Sequence, residues 1–407
     1  MKDVDVSSGC VTSVAEVFHA FLKLGVSSFG GPIAHLGYFR NEFVVRRGWI
    51  DEAGYADLIA LCQFLPGPAS SQVGFSLGVL RGGGLLGGLA AWTAFTLPSA
   101  FLLVAFAFGA SVFTGPAGSG VIHGLKIVAV AVVAQAVWGM ARTLAPDRPR
   151  ASIVLVATLL IVLSRGASWG QLATIALGAA AGLAFCRDVP ARVDPAGLQF
   201  PISRRAGTVA LVSFFALLLL LPVAVRLTGS QGLASFDAFF HSGALVFGGG
   251  HVVLPLLRTQ VVDPGWVTPD AFLAGYGAAQ AVPGPLFTFA AYLGAVLKPA
   301  PNGVPGAALS LAAIFLPGLL LVYGTLPFWD ALRRRPLAQA AIGGTNAAVV
   351  GILAAALYDP VWTSAILNSR DFALGVFAFV LLTAWSAPPW VVVAITAAGG
   401  VVLGVVQ

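Results

Sequence analysis

At 407 residues, 58% hydrophobic and only 9% charged, with a mean hydropathy of +0.91, the chain cannot solvate itself as a soluble protein, whose charged fraction is roughly 25%. Its formal net charge of +6 comes mostly from Arg in short segments between apolar runs, which reports membrane orientation and argues against a nucleic-acid surface. Cys10, Cys62 and Cys186 are widely separated and odd in number, giving neither a disulfide framework nor a metal-site spacing.

In chain order, a polar tail (1–13) precedes an apolar segment interrupted by Glu16, His19 and Lys23, so it lacks the clean core of a cleaved signal peptide. Phe29-Gly30-Gly31 and His35 follow, then Arg40, Arg46 and Arg47, then Gly48-Trp49. The apolar stretch YADLIALCQFLPGPASS carries a helix breaker, Pro66-Gly67-Pro68, since Pro removes an amide donor and clashes one turn back. Four candidate spans come next, at 84–113, 120–141, 151–165 and 170–186. A charged linker (187–205) and one further apolar segment (206–225) lead to Phe247-Gly248-Gly249 and His251. Then come Gly265-Trp266, a second breaker at Pro283-Gly284-Pro285, and apolar segments that include 303–325 and 372–385. Runs near 20 residues suffice to cross a bilayer; 151–165 and 372–385 are short for that.

The chain repeats itself. Phe29-Gly30-Gly31 matches Phe247-Gly248-Gly249, Gln63 matches Gln280, and each Trp lies seventeen residues before the first Pro of its breaker. Leu97-Pro98 answers Leu316-Pro317, and Gly124-Leu125-Lys126 answers Gly344-Thr345-Asn346. Matched breakers argue for a duplicated unit. Arg distribution reverses between the copies: Arg40, Arg46 and Arg47 in copy one face only Arg258 in copy two, whereas the neutral 114–120 segment answers Arg333, Arg334 and Arg335. Positive loops mark the cytoplasmic side, so the repeats should be inverted, with the linker and the Arg333–335 loop cytoplasmic and 114–120 outside. The expected fold is therefore an all-α polytopic membrane protein of about nine to twelve segments. Its parts are the tail (1–13), a first repeat (14–186), a linker with an inverting helix (187–235) and a second repeat (236–407), in the plasma membrane.

A helix broken inside a membrane exposes amides that only protein, water or a ligand satisfies. In inverted-repeat transporters such breaks lie at the midplane and their helix N-termini point at substrate. After Pro68 come Ala69, Ser70 and Ser71; after Pro285 come Leu286, Phe287 and Thr288. A helix N-terminus with hydroxyls suits an anion, so the two breakers read as two halves of one anion site.

The motifs FGGP with His35, LPGP, FGGGHVVLP and QAVPGP resemble those of the chromate transporter family in its long, two-domain form, over about residues 15 to 400. The resemblance implies export of chromate, with sulfate as close competitor, through oppositely oriented homologous halves; exchange with sulfate or protons is one form of it. The alternative is a transporter or channel for another small anion such as sulfate. Partners expected are the oxyanion and the lipid bilayer, with a homodimer allowed; no nucleic acid, cofactor or metal is expected.

Ionisable residues in apolar segments are the remaining candidates, because burying them is costly. Lys23 either snorkels or balances the anion, and Lys126, matched by Asn346, reads as lumen-facing. Asp57, matched by Ala274, is a proton carrier or a partner of Arg46 or Arg47. His35 and His251 either titrate or serve structure, while Gln63 and Gln280 bond the substrate or the freed backbone. Enzyme motifs are lacking: RGGGLLGG at 81–88 has no following Lys-Ser/Thr and is no phosphate loop.

Overall fold

Short polar side chains set where many of the helices begin. In the computed structural model, which describes residues 12–109, 115–164, 168–186, 200–247, 250–329 and 335–405, Ser13 caps the amide of Glu16 and Asp51 that of Gly54. Ser203, Thr268 and Asn368 cap three later helices in the same way, each satisfying an amide that the first turn leaves free. All described elements are helical.

The first repeat holds α1 (Val14–Ser27), α2 (Gly31–Phe39), α3 (Glu52–Phe64), α4 (Ala69–Arg81), α5 (Leu85–Gly109), α6 (Gly115–Leu144), α7 (Arg148–Leu163) and α8 (Ser168–Phe185). One helix, α9 (Arg204–Thr228), stands alone. The second repeat answers with α10 (Gln231–Ala244), α11 (Val253–Leu257), α12 (Pro269–Ala279), α13 (Phe289–Val296), α14 (Gly303–Thr325), α15 (Pro336–Ala356), α16 (Ser369–Thr383) and α17 (Pro389–Val405). Among the described residues five helices are long and apolar enough to cross a membrane, within Leu85–Gly109, Gly118–Leu144, Arg204–Thr228, Gly303–Phe328 and Pro336–Ala365. The shorter α7 and α16 occupy the segments that were short in the sequence.

The direction of packing fixes the relation between the halves. Helices α4 and α5 are antiparallel: Gly78 lies against Ala91, and Gly82 against Gly87. Against α14, α4 is parallel, since Gln72 donates to the Gly318 carbonyl and Phe75 meets Tyr323. Hence α5 and its equivalent α14 run in opposite directions. The mirror set agrees. Gly294 of α13 lies against Gly306 of antiparallel α14, while Gly284 sits at Phe95 and Ser99, and Tyr292 at Phe106, along parallel α5. The topology is inverted.

The repeats are also interlocked. Helix α6 packs on α16 and α17, and α15 packs on α7 and α8. Close approach comes from glycine: a Cβ on Gly124 would lie 2.2 Å from the Thr396 carbonyl oxygen, and one on Gly344 would lie 2.1 Å from that of Gly178. Such small-residue contacts hold helices together where lipid removes the hydrophobic incentive. On the perimeter, α9 turns Val209, Phe215, Leu219, Leu220 and Leu227 outward, an apolar surface suited to acyl chains.

Of the 114–120 segment, expected as a loop, residues 115–120 are helix: α6 begins at Gly115. Pro116 fits a first turn, where its missing amide is not needed. Residues 187–199, Arg333 and Arg334 lie outside the described residues. The packing nonetheless fixes which helix ends lie together. Arg150 of α7 lies beside Gly343, and Gly182 of α8 beside the Ala340 carbonyl, so the start of α7, the end of α8 and Arg335 share one end of the bundle. Three residues separate α6 from α7, and at about 1.5 Å per residue the first turn of α6 lies at the opposite end. With single cysteines at Ser119, Ile202 and Arg335 in a background lacking the native three, only the one at Ser119 is expected to be labelled from outside. Equal labelling of all three would overturn this orientation.

Candidate functional site

Both breakers interrupt helices as the sequence indicates, and each is held by the other repeat. The Gly67 amide donates to the Val246 carbonyl at 2.7 Å, and the Gly284 amide donates to the Ser28 carbonyl at 2.9 Å. Val246 and Ser28 occupy equivalent positions, each immediately before its Phe-Gly-Gly motif. Both central glycines need positive φ, +123° and +95°, a region L side chains rarely enter. Both also pack beside the Leu-Pro step of the opposite repeat. A Cβ on Gly67 would lie 3.0 Å from Gly318 Cα, and one on Gly284 would lie 2.8 Å from Ser99 Oγ. The two crossings form one symmetrical junction.

Chemistry departs from that symmetry. After the first breaker, α4 starts directly at Ala69 with Pro68 as its cap residue, and no side chain caps it. Ser70 and Ser71 are buried, and Ser71 Oγ has no hydrogen-bond partner. Fully buried His35 brings Nδ1 to 3.4 Å from Ser70 Oγ and sets its ring edge-on to Phe95, while its Nε2 has no partner. Ser28 Oγ, Gln72 Oε1 and Thr96 Oγ1 are likewise buried and unpartnered. Unpaired buried polar atoms are expensive and rare in native structures; Ser71 Oγ, Gln72 Oε1 and His35 Nε2 gather at the first break, whereas Ser28 and Thr96 belong to the segments that meet Gly284 of the second. The groups at the first break are neutral hydroxyls, amides and an imidazole.

The second breaker is different. Leu286–Thr288 form a 3-10 turn before α13 begins at Phe289, and the Thr288 hydroxyl donates to the Pro285 carbonyl at 2.7 Å. The same Pro285 carbonyl accepts the Thr288 amide at 3.0 Å, so the hydroxyl of Thr288 is taken up within its own turn. Leu286, Phe287 and Phe289 around it are buried and apolar. Gln280 Nε2 has no partner, nor has Ser28 Oγ on the residue whose carbonyl accepts the Gly284 amide.

The other candidates scatter. Gly30 and Gly31 start α2 with positive φ; Gly248 and Gly249 lie outside the described residues. Gln63 and Lys23 are exposed. Lys126 is not a free cation, as its Nζ lies 2.5 Å from Asp270 Oδ1, whereas Asn346 at the matched position has an unpartnered Oδ1. His251 Nδ1 lies 2.7 Å from the Tyr276 hydroxyl. Asp57 is half-buried, and Arg46 and Arg47 pair with Glu42, Arg47 also with Glu16.

Sequence reading missed Gln72, whose Nε2 donates to both the Pro66 and Gly318 carbonyls at 3.0 Å. Its signal was available: a breaker frees carbonyls, and Gln72 is the amide donor one turn after it. Ser28 and Thr96 carried no comparable signal, since they reach the second break only through the fold.

Interlocked inverted repeats with paired breaks define a multi-pass membrane protein of the architecture used by secondary transporters. Both halves match the chromate transporter family, at residues 15–183 and 233–402, and the chain belongs to that family. It is 30% identical over 402 residues to the chromate transport protein of Pseudomonas aeruginosa, covering 95% of this chain and 91% of the relative. It is 28% identical over 399 residues to a probable chromate transport protein of Synechococcus elongatus, covering 96% and 95%. A chromate transport protein of Cupriavidus metallidurans is 26% identical over 83% of this chain and 80% of that one. These family members and the apolar helices place it in the plasma membrane. No solved structure matches the chain.

Proposed function

We propose that the protein is a secondary transporter, not an enzyme, which exports a tetrahedral oxyanion, chromate first and sulfate as its close competitor. The observation that carries this reading is the group of buried, unpartnered polar atoms at the uncapped start of α4. Free amides and hydroxyls at a helix N-terminus stabilise negative charge without the penalty of a buried ammonium. Ser71 offers a hydroxyl donor there, and His35, whose Nδ1 lies 3.4 Å from Ser70 Oγ, offers its remaining ring nitrogen; the hydroxyls of Ser28 and Thr96 lie on the segments that meet Gly284. The second breaker acts as the wall that holds this half-site in place. An inside-negative potential of 100 mV favours exit of a dianion by roughly 4.6 kcal/mol, so export can run on the potential alone or in exchange with protons or another anion.

The test is purified protein in liposomes, with labelled chromate and sulfate and imposed voltage. Voltage-driven flux of chromate, inhibited by sulfate, is expected; Ser71→Ala should lower it about ten- to hundredfold, the worth of one hydrogen bond to a charged group. Absence of any anion flux would overturn the reading.

Lys126 serves the same proposal as a cation that the anion draws from Asp270. Lys126→Ala is expected to cut transport sharply at normal membrane levels, with only partial rescue by Arg, whose planar fork does not replace an ammonium. Normal uptake of chromate into everted vesicles carrying the Ala variant would leave Lys126 a structural partner of Asp270.

A further inference from the structure

A His–Asp pair that joins the repeats lies outside this site. His123 of α6 brings Nε2 to 2.9 Å from Asp371 Oδ1 of α16, with side-chain exposures of 22% and 1%. The two residues are 248 apart in sequence and belong to different repeats. The second carboxylate oxygen of Asp371 accepts the Leu367 amide at 3.0 Å, which leaves His123 as the group whose charge answers the carboxylate.

The pair has no counterpart in the inverted half. The position equivalent to His123 is Gly343, with the Arg150 guanidinium 3.9 Å from where its Cβ would stand. The equivalent interface packs without such a pair, so packing alone does not require it and the pair calls for a different reason. Neighbouring charges are few. Lys126 lies one turn along α6 and is paired with Asp270 of α12. Arg370 precedes Asp371 on α16 and is exposed, as are Tyr358 and Asp359 of the segment after α15. Helix α17 contributes no titratable side chain, and α12 adds Tyr276.

We infer that His123 and Asp371 form the site at which a proton enters the transport cycle. With a proton on the imidazole the pair is a charge-assisted bond between repeats. Without it, an ionised Asp371 is buried with no counter-charge, a costly state. Loading and unloading this proton therefore strengthens and weakens the hold of α6 on α16. The change reaches the breakers through α12: a Cβ on Gly277 would lie 2.3 Å from the Leu125 carbonyl oxygen of α6, and α12 leads directly into Pro283-Gly284-Pro285.

The inference rests on the transport reading, and the experiment separates the two. The full chain in liposomes, with voltage clamped at zero, is given labelled sulfate or chromate and a pH gradient. In the wild type the steady-state ratio of anion across the membrane should shift about tenfold per pH unit for each coupled proton, its sign telling whether proton and anion travel together or oppositely. His123→Gln and Asp371→Asn should still exchange anion for anion, with the ratio held at one whatever the gradient. Either variant following the gradient as the wild type does would overturn the inference. So would a wild type that exchanges anions with a ratio blind to pH, or folded variants that lose exchange together with the gradient response, which makes the pair a structural tie. A wild type that moves no anion at all overturns the transport reading and this inference together.

Discussion

Replacing Pro66-Gly67-Pro68 with three alanines is expected to abolish anion transport while the protein still reaches the membrane. Alanine is the best helix former and these prolines are the local reason α3 and α4 are separate. A continuous helix would turn the amides of Ala69, Ser70 and Ser71 inward to their own carbonyls, four residues back. It would also remove the Gly67 bond to Val246 and pull Gln72 away from the Pro66 carbonyl. Bonds to a charged group are worth roughly 1.5–3 kcal/mol each, so losing two should weaken anion binding by about two to four orders of magnitude. The measurement is chromate uptake into everted vesicles at matched expression. Near-normal uptake would reduce the first breaker to a packing kink.

The second large effect should take a different form. Gly284→Ala places a Cβ 2.8 Å from Ser99 Oγ and 3.2 Å from the Phe95 carbonyl oxygen, at φ +95°. A left-handed conformation alone is unfavourable by roughly 1–2 kcal/mol for an L side chain, and the contact adds to it. The defect is therefore expected in stability, as a clear fall in the melting temperature of purified protein, rather than in selectivity among anions. Ser99→Gly should restore part of it, because it recreates at this crossing the arrangement that Gly67 and Gly318 have at the other. Unchanged melting would show that the junction yields more readily than its geometry suggests. A Gly284→Ala protein of normal stability with lost anion affinity would make the second breaker part of the binding half after all.

Together these outcomes separate the breakers. Equal and purely functional defects would restore a site shared by both, the arrangement the repeated motifs suggest. Unequal defects, functional at Gly67 and structural at Gly284, are what the free Ser71 hydroxyl and the self-satisfied Thr288 hydroxyl predict.

Several features were legible in the sequence because their causes are local. A scarcity of charge and apolar runs near 20 residues leave only a membrane interior as solvent. Proline fixes φ and removes a donor whatever surrounds it, so both breaks and the Leu-Pro kinks of α5 and α14 could be located, and the duplication with its reversed Arg bias pointed to inversion. Which polar atoms are free was not legible. Ser71 and Thr288 are both hydroxyls shortly after a Pro-Gly-Pro, yet one is unpartnered and the other donates to Pro285, because one chain end forms an α-helix and the other a 3-10 turn. Lys126 reads from the sequence as lumen-facing, and only the fold brings Asp270 to it. His123 and Asp371 had no apparent relation at all. Hydrogen-bond satisfaction depends on what the opposite repeat supplies, and in an interlocked fold that partner lies hundreds of residues away, where no local pattern records it.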